Sequence, residues 1–180
     1  MKLGRLVGVP AIERLDLLAE PVARAVAAWQ GPVQVEELQV AEIDPDLADT
    51  TNFCQTYGIR LKDAANCVVV ATRRGQDSRL IACVVLATTR ADVNGLVRRH
   101  VQARRASFAP MDVAVAESGM QYGGITPVGL PTTWPLLVDA EVAAAPHVVV
   151  GSGLRRSKLI LPGAALASLP GAEVIPGLGV

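Results

Sequence analysis

Two apolar runs in the middle of the chain, CVVVAT at 67–72 and LIACVVLA at 80–87, constrain the fold more than anything else in the sequence. Both are rich in β-branched residues and too short for buried helices, so they read as strands. The connecting RRGQDS is charged and holds a glycine, so the two runs are expected to close as a hairpin.

The flanks hold further elements. Residues 11–29 place Leu15, Leu18, Val22, Val26 and Trp29 at three- and four-residue steps, an amphipathic helix that Pro21 must kink or divide. Residues 33–41 read as a strand. Asp44-Pro45 reads as a helix start, with Leu47, Phe53, Cys54 and Tyr57 on one face up to Gly58. Between Glu36 and Asp49 lie six acids and no base, a solvated face. Residues 91–103 form a further helical stripe, with Thr89 or Asp92 as cap and His100 on the apolar side as a partly buried structural residue. A second helix follows Phe108. After a Gly/Pro loop come strands at 134–139, 147–151 and 158–161, a brief helix near 163–168 and a Pro/Gly-rich close. This order does not alternate as βαβ, so the fold class is α+β, built on a mixed sheet or barrel.

Composition narrows the function. The chain has 180 residues, 51% of them apolar but only 3% aromatic, so one core of Ala, Val and Leu is expected and stacking platforms for single-stranded nucleic acid are not. Seventeen basic and seventeen acidic residues cancel, which excludes a general nucleic-acid coat or polybasic anchor but leaves room for a local basic patch. Lysine stands only at 2, 62 and 158, with arginine elsewhere, the usage of a GC-rich genome. Cys54, Cys67 and Cys83 show no CxxC spacing and read as small hydrophobes; with only His100 and His147 besides, no metal centre and no cofactor is expected. No signal sequence and no 18-residue apolar span is present, so a soluble, cytoplasmic protein without a membrane partner is expected.

No GxSxG elbow, HExxH or Walker A loop occurs. Gly151-Ser152-Gly153 lacks a third glycine and reads as a tight turn, with a phosphate-facing role second. The stretch Tyr122-Gly123-Gly124-Ile125-Thr126-Pro127-Val128-Gly129 stands apart, with three glycines and a proline fixing an unusual backbone path. Such a loop can aim main-chain N–H groups at a developing oxyanion or orient a water, although spacing alone reads it first as an ordinary connection.

GGITPVGLP resembles the GxxxP loop of the YbaK/EbsC family, the prolyl-tRNA editing domains and aminoacyl-tRNA deacylases. ASFAPMDVA at 106–114, the run LLVDAEV around Val138-Asp139, and VVVGSGLRRSKLILPGAAL at 148–166 resemble that family's segments in order and spacing, as does the strand pair near 66–87. The resemblance covers roughly residues 45–170 of what is expected to be one domain over 1–180, with 1–44 as an N-terminal extension. It implies a YbaK-like fold, a mixed, partly closed sheet with flanking helices. It also implies hydrolysis of the ester that joins a mischarged amino acid to the 3′ ribose of a tRNA, assisted by the tRNA's own 2′-hydroxyl. The partners it implies are mischarged tRNA and, as a further candidate, an aminoacyl-tRNA synthetase. Carried over by motif, Gly123, Gly124, Ile125, Thr126 and Pro127 would lie beside the scissile ester. Gly151 and Gly153 would wall the aminoacyl pocket, with Asn66 and Gly129 among its binding residues.

The chain departs from the family at one position that matters. Where relatives start the first core strand with lysine, this chain has Asn66, which donates and accepts hydrogen bonds but carries no charge. Lys62 lies four residues earlier, and the final strand begins at Lys158 where many relatives carry an acid. Two functional readings follow: a trans-editing deacylase, favoured by the intact loop, and a weakened or inactive tRNA- or aminoacyl-binding module, favoured by Asn66. A hydrolase for another small acyl ester is a third. The candidate phosphate contacts are Arg98, Arg99, Arg104 and Arg105, with Arg155, Arg156 and Lys158 as a second cluster. Arg73 and Arg74 read as hairpin-loop charges, and Asp139 as a turn former.

Overall fold

The computed structural model describes residues 1–180. In chain order its strands are β1 (Lys2–Leu3), β2 (Leu6–Val7), β3 (Val9–Pro10), β4 (Gln39–Glu42), β5 (Ala65–Arg74), β6 (Asp77–Leu86), β7 (Arg105–Phe108), β8 (Leu136–Asp139), β9 (Val148–Gly151), β10 (Ser157–Leu161) and β11 (Ala172–Ile175). The α-helices are α1 (Glu20–Ala27), α2 (Thr50–Tyr57), α3 (Arg98–His100), α4 (Met111–Ser118), α5 (Ala140–Ala143) and α6 (Gly163–Ala167).

The expected hairpin is β5–β6, longer than the apolar runs alone, with register from Ala65 opposite Leu86 to Arg74 opposite Asp77. Gly75 makes the turn at φ 63°. The pair sits inside a mixed five-stranded sheet in the order β11-β8-β6-β5-β7, in which β8 runs parallel to β6 and β11 parallel to β8. Both faces of the hairpin are covered along its apolar stretch, while its turn end, residues 73–79, is exposed. Val69, Ala82 and Val84 join the main core with Val22, Val26, Leu161 and Leu166. Val70, Ile81, Cys83 and Val85 pack on Val93, Val97 and Leu178. A second sheet, β3-β4-β10-β9, meets the first where Ala64 bridges Val149 in parallel. The architecture is the expected mixed α+β fold with flanking helices, its strands divided between two sheets and a β1–β2 ribbon.

Several local expectations need correction. The 11–29 pattern is three pieces: 3-10 turns at Ala11–Glu13 and Leu15–Leu17, then α1, whose first turn holds Pro21. Proline starts this helix instead of kinking it, since its missing N–H is not needed there. The 33–41 run is a 3-10 turn, Val35–Glu37, followed by β4. Asp44-Pro45 opens only a 3-10 turn; α2 begins after Asp49, whose carboxylate accepts from the N–H groups of Thr51 and Asn52 at 3.1 and 3.2 Å, and ends at left-handed Gly58. The 91–103 helix is a wide π turn, Val93–Val97, plus the single turn of α3. Asp92 is the cap, bound by the N–H groups of Gly95 and Leu96 at 3.0 and 2.7 Å. A Cβ on Gly95 would lie 2.2 Å from Asp92 Oδ2, so the widened turn depends on glycine. Because the helix stops at His100, that side chain leaves the apolar stripe and pairs at the surface with Glu173 Oε2, 2.9 Å away.

One consequence of this topology positions the site. β7 pairs with β5 only between Val70 and Arg73. The first half of β5 therefore has an uncovered edge, bounded by β7 on one side and β9 on the other.

Candidate functional site

A cavity of about 560 Å³ opens at that uncovered edge. Its walls come from the first turn of α2 (Asp49, Thr50, Phe53), the start of β5 (Ala65 to Val69), the β7–α4 junction (Phe108 to Ala114), the glycine loop (Tyr122, Gly123, Ile125), and β9 and β10 with Gly151, Arg155 and Lys158. Residues from five distant stretches of the sequence meet there.

The glycine-loop wall is built by backbone. Gly124 N–H donates to Gln121 O (2.9 Å), Gly153 N–H to Gly124 O (2.7 Å) and Gln121 N–H to Gly153 O (2.8 Å), so the loop is tied into the β9–β10 turn. The fit allows no side chain: a Cβ on Gly151 would lie 2.3 Å from Gly124 O, and one on Gly124 would lie 2.7 Å from Leu154 O. Gly123 adopts φ 80°, which glycine permits. The N–H groups of Gly123 and Ile125 have no partner within the protein, and both residues line the cavity. The Arg155 guanidinium closes the rim, donating to Tyr122 O at 3.3 Å and Pro45 O at 3.0 Å.

The expected site residues divide by this geometry. Gly123, Ile125, Asn66, Gly151 and Arg155 line the cavity. Gly124 supports it from behind. Thr126 is fully buried, its N–H on Met120 Sδ and its hydroxyl without a partner. Pro127 and Gly129 face a different hollow, lined also by Trp29 and Trp134, and Gly129 packs its backbone on Pro21 O. Gly153 faces Ala19 at the start of α1. Arg156 donates to Asp16 O at 2.6 Å. Arg104 lines a groove at the far end of the β5–β6 hairpin together with Arg73, Arg74 and Arg79, with Asp77 its one acid, and Arg105 lies opposite Arg73 in the strand register. Arg98, on α3, donates to Asn94 O, and Arg99 follows it in the same turn. None of these arginines is in an ion pair with a carboxylate. Asp139 caps α5, accepting from Glu141 N–H at 2.8 Å.

Sequence reasoning names Asn66 but reads Lys158 as part of a basic phosphate cluster, so it misses how the two share the opposite wall. Lys158 is only 7% exposed, yet it lines the cavity; its ammonium donates to Ala48 O at 3.1 Å and lies 5.2 Å from the Phe53 ring centre. No carboxylate pairs with it. Burial, with a smaller push from the Arg155 charge, lowers its pKa from the usual lysine value, against the opposing pull of Cys54 and Asp49. Beside it, Asn66 Oδ1 accepts from Thr50 Oγ1 at 2.8 Å, leaving the amide N–H₂ without a protein partner. The one sign the sequence carries is a lysine opening an apolar run, KLIL, and the structure shows that every residue of β10 is buried. Burial pushes both Cys67 and Cys83 thiols up, Cys83 to about 12, so neither supplies a thiolate nucleophile near neutral pH.

Solved structures share this two-sheet α+β fold. A proposed trans-editing enzyme for prolyl tRNA synthetase superposes with TM-score 0.71 at 22% identity, covering 88% of this chain and 94% of that one. A scaffold protein from computational epitope-backbone grafting gives 0.72 at 23%, covering 88% and 95%. The hypothetical protein APE2540 gives 0.70 at 18%, covering 79% and 91%. No curated protein sequence matches the chain. The sequence profile of the aminoacyl-tRNA editing domain matches residues 44–169, and the chain belongs to that family. No helix is long and apolar enough to cross a membrane.

Proposed function

We propose that the protein is a trans-editing hydrolase that cleaves the ester of a mischarged aminoacyl-tRNA. The observation that carries this reading is the pair of unpartnered N–H groups on Gly123 and Ile125, two residues that line a cavity of about 560 Å³. Water attacks the ester carbon and the carbonyl electron pair moves onto oxygen. Collapse of that oxyanion expels the ribose 3′ oxygen, which takes the proton. Fixed backbone donors suit this chemistry because they need no reorganisation as charge develops. Gly124, Thr126, Pro127, Gly129 and Gly153 hold the loop from behind, and Gly151 lets it close on β9. Residues 1–180 act as one domain, since β3 and β4, from the first 44 residues, complete the second sheet.

The arginine groove gives tRNA a place to lie. Val69 lines the cavity and Arg73 stands four residues further along β5, about 13 Å at strand rise. Arg104, Arg105 and their neighbours, with Arg98 and Arg99 nearby in sequence and Arg155 and Arg156 at the opposite rim, would neutralise backbone phosphates. The test is release of labelled amino acid from a panel of mischarged tRNAs over a no-enzyme control. Release from one or a few pairs supports the reading, and tRNA binding without release supports the second reading, a binding module, which Asn66 in the family's lysine position favours. Replacing Arg104 and Arg105 by Ala is expected to flatten the slope of log K against log salt by about one per arginine.

A further inference from the structure

We propose that Lys158 and Asn66 form an acceptor-oxygen subsite in the cavity, a paired ammonium and amide that take a carbonyl or carboxylate oxygen of the acyl group. This rests on the hydrolase reading for its substrate but not for its geometry.

The two side chains come from different sheets and are anchored on one turn. Lys158 Nζ is fixed by Ala48 O and the Asn66 amide by the Thr50 hydroxyl, two residues apart at the start of α2. Each anchor leaves N–H donors over. The ammonium has three and uses one; the Asn66 N–H₂ uses none within the protein. Asp49, the only acid on the cavity wall, has one carboxylate oxygen committed to the N–H groups of Thr51 and Asn52 and forms no ion pair with Lys158. A cation this deeply buried without an ion-pair partner costs stability in the empty protein. The Phe53 ring and one carbonyl offset only part of that cost. The missing partner is therefore an oxygen that enters with the ligand. Lys158 also lies opposite Gly151 in the strand register, and Gly151 packs on the carbonyls of Gly124 and Ile125. The subsite thus faces the wall that carries the loop N–H groups.

The oxygen can be the ester carbonyl, which gains charge during hydrolysis, or a side-chain oxygen of the amino acid, and the experiment separates them. Lys158→Met and Asn66→Asp are compared with wild type, Lys158→Arg serving as the conservative variant. Asn66→Asp gives Lys158 an internal counter-ion, so its melting temperature is expected to rise while kcat/KM falls roughly tenfold; Lys158→Met is expected to lose about a hundredfold. Equal loss on every substrate of the tRNA panel assigns the ester carbonyl. Loss confined to acyl groups bearing a side-chain oxygen assigns that oxygen. Folded variants with wild-type rates would overturn the subsite and leave the hydrolase reading standing. Independently of activity, acetate titrated into wild type is expected to shift the Asn66 side-chain amide resonances saturably, and not in Lys158→Met. An acetate response without hydrolysis of any substrate would keep the subsite and sink the hydrolase; no response in wild type would overturn the subsite.

Discussion

The two walls of the cavity are made in opposite ways. The loop wall, Gln121 to Ile125 against Gly151 and Gly153, is backbone on backbone, with glycines wherever a Cβ would strike a carbonyl. The facing wall is made by side chains: Lys158 donates to Ala48 O, just before α2, and Asn66 accepts from the Thr50 hydroxyl at its first residue. A backbone wall tolerates no substitution at its contacts but does not depend on what else lines the pocket. A side-chain wall can change its chemistry without changing its fold. Catalytic geometry shared across a family suits the first kind, and substrate choice particular to one chain suits the second.

The sharpest way to break this contrast is Gly151→Ala. The added carbon would sit 2.3 Å from Gly124 O and 2.7 Å from Ile125 O, and both are backbone atoms that cannot swing aside. Loss of deacylation by more than about a hundredfold is expected, with a clear fall in melting temperature. Gly123→Ala tests the same wall more gently. The new Cβ meets only Arg155 Nη1, the far end of a flexible side chain, and the cost is the positive φ of 80°, about 1–2 kcal/mol. Its activity is expected to fall roughly tenfold with a smaller thermal shift. Equal effects from the two would mean that backbone contact does not set the wall.

The two walls also differ in how far the sequence revealed them. Three glycines and a proline in eight residues mark the loop locally, and the β5–β6 hairpin is written in its own apolar runs. The facing wall depends on Ala64 bridging Val149, a contact across 85 positions that no local pattern encodes. Lys158 reads as part of a basic phosphate cluster until β10 is seen to be buried throughout. The arginine groove escaped for the same reason: Arg73 and Arg74 become part of an anion-receptive surface only when β7 brings Arg104 and Arg105 alongside. β7 and β11 were missed because RASF and AEVI are four-residue edge strands with mostly exposed residues, where the apolar alternation fades.

A milder probe of the side-chain wall is Thr50→Val. It keeps the shape of Thr50 and removes the hydroxyl that orients Asn66. A severalfold loss of kcat/KM is expected with little thermal change, because one partly exposed hydrogen bond contributes about 1 kcal/mol. Asn66→Lys sharpens the same comparison, since it adds a second cation beside Lys158. If a single cation is what the wall needs, Asn66→Lys gains no rate and loses stability through repulsion between the two ammonium groups. A gain in rate would show that the charge missing at position 66 limits catalysis despite Lys158.

The smallest effect expected is a pH signature of the same wall. Burial holds the Lys158 pKa in the folded protein below the 10.5 of an unperturbed lysine. Between those two values the unfolded chain binds more protons at this position than the native one does, so native stability rises with pH across that interval. Below the native value both states are protonated and the buried charge is fully felt; above 10.5 both are neutral and the gain levels off. The loop wall carries no comparable group. Urea unfolding of wild type and Lys158→Met at matched pH steps is therefore expected to show the two stability curves closing on each other toward alkaline pH. Gly123→Ala, by contrast, is expected to run parallel to wild type throughout. Parallel curves for Lys158→Met would mean that the ammonium is solvated in the folded protein, and the side-chain wall would then lose the uncompensated charge on which its chemistry rests.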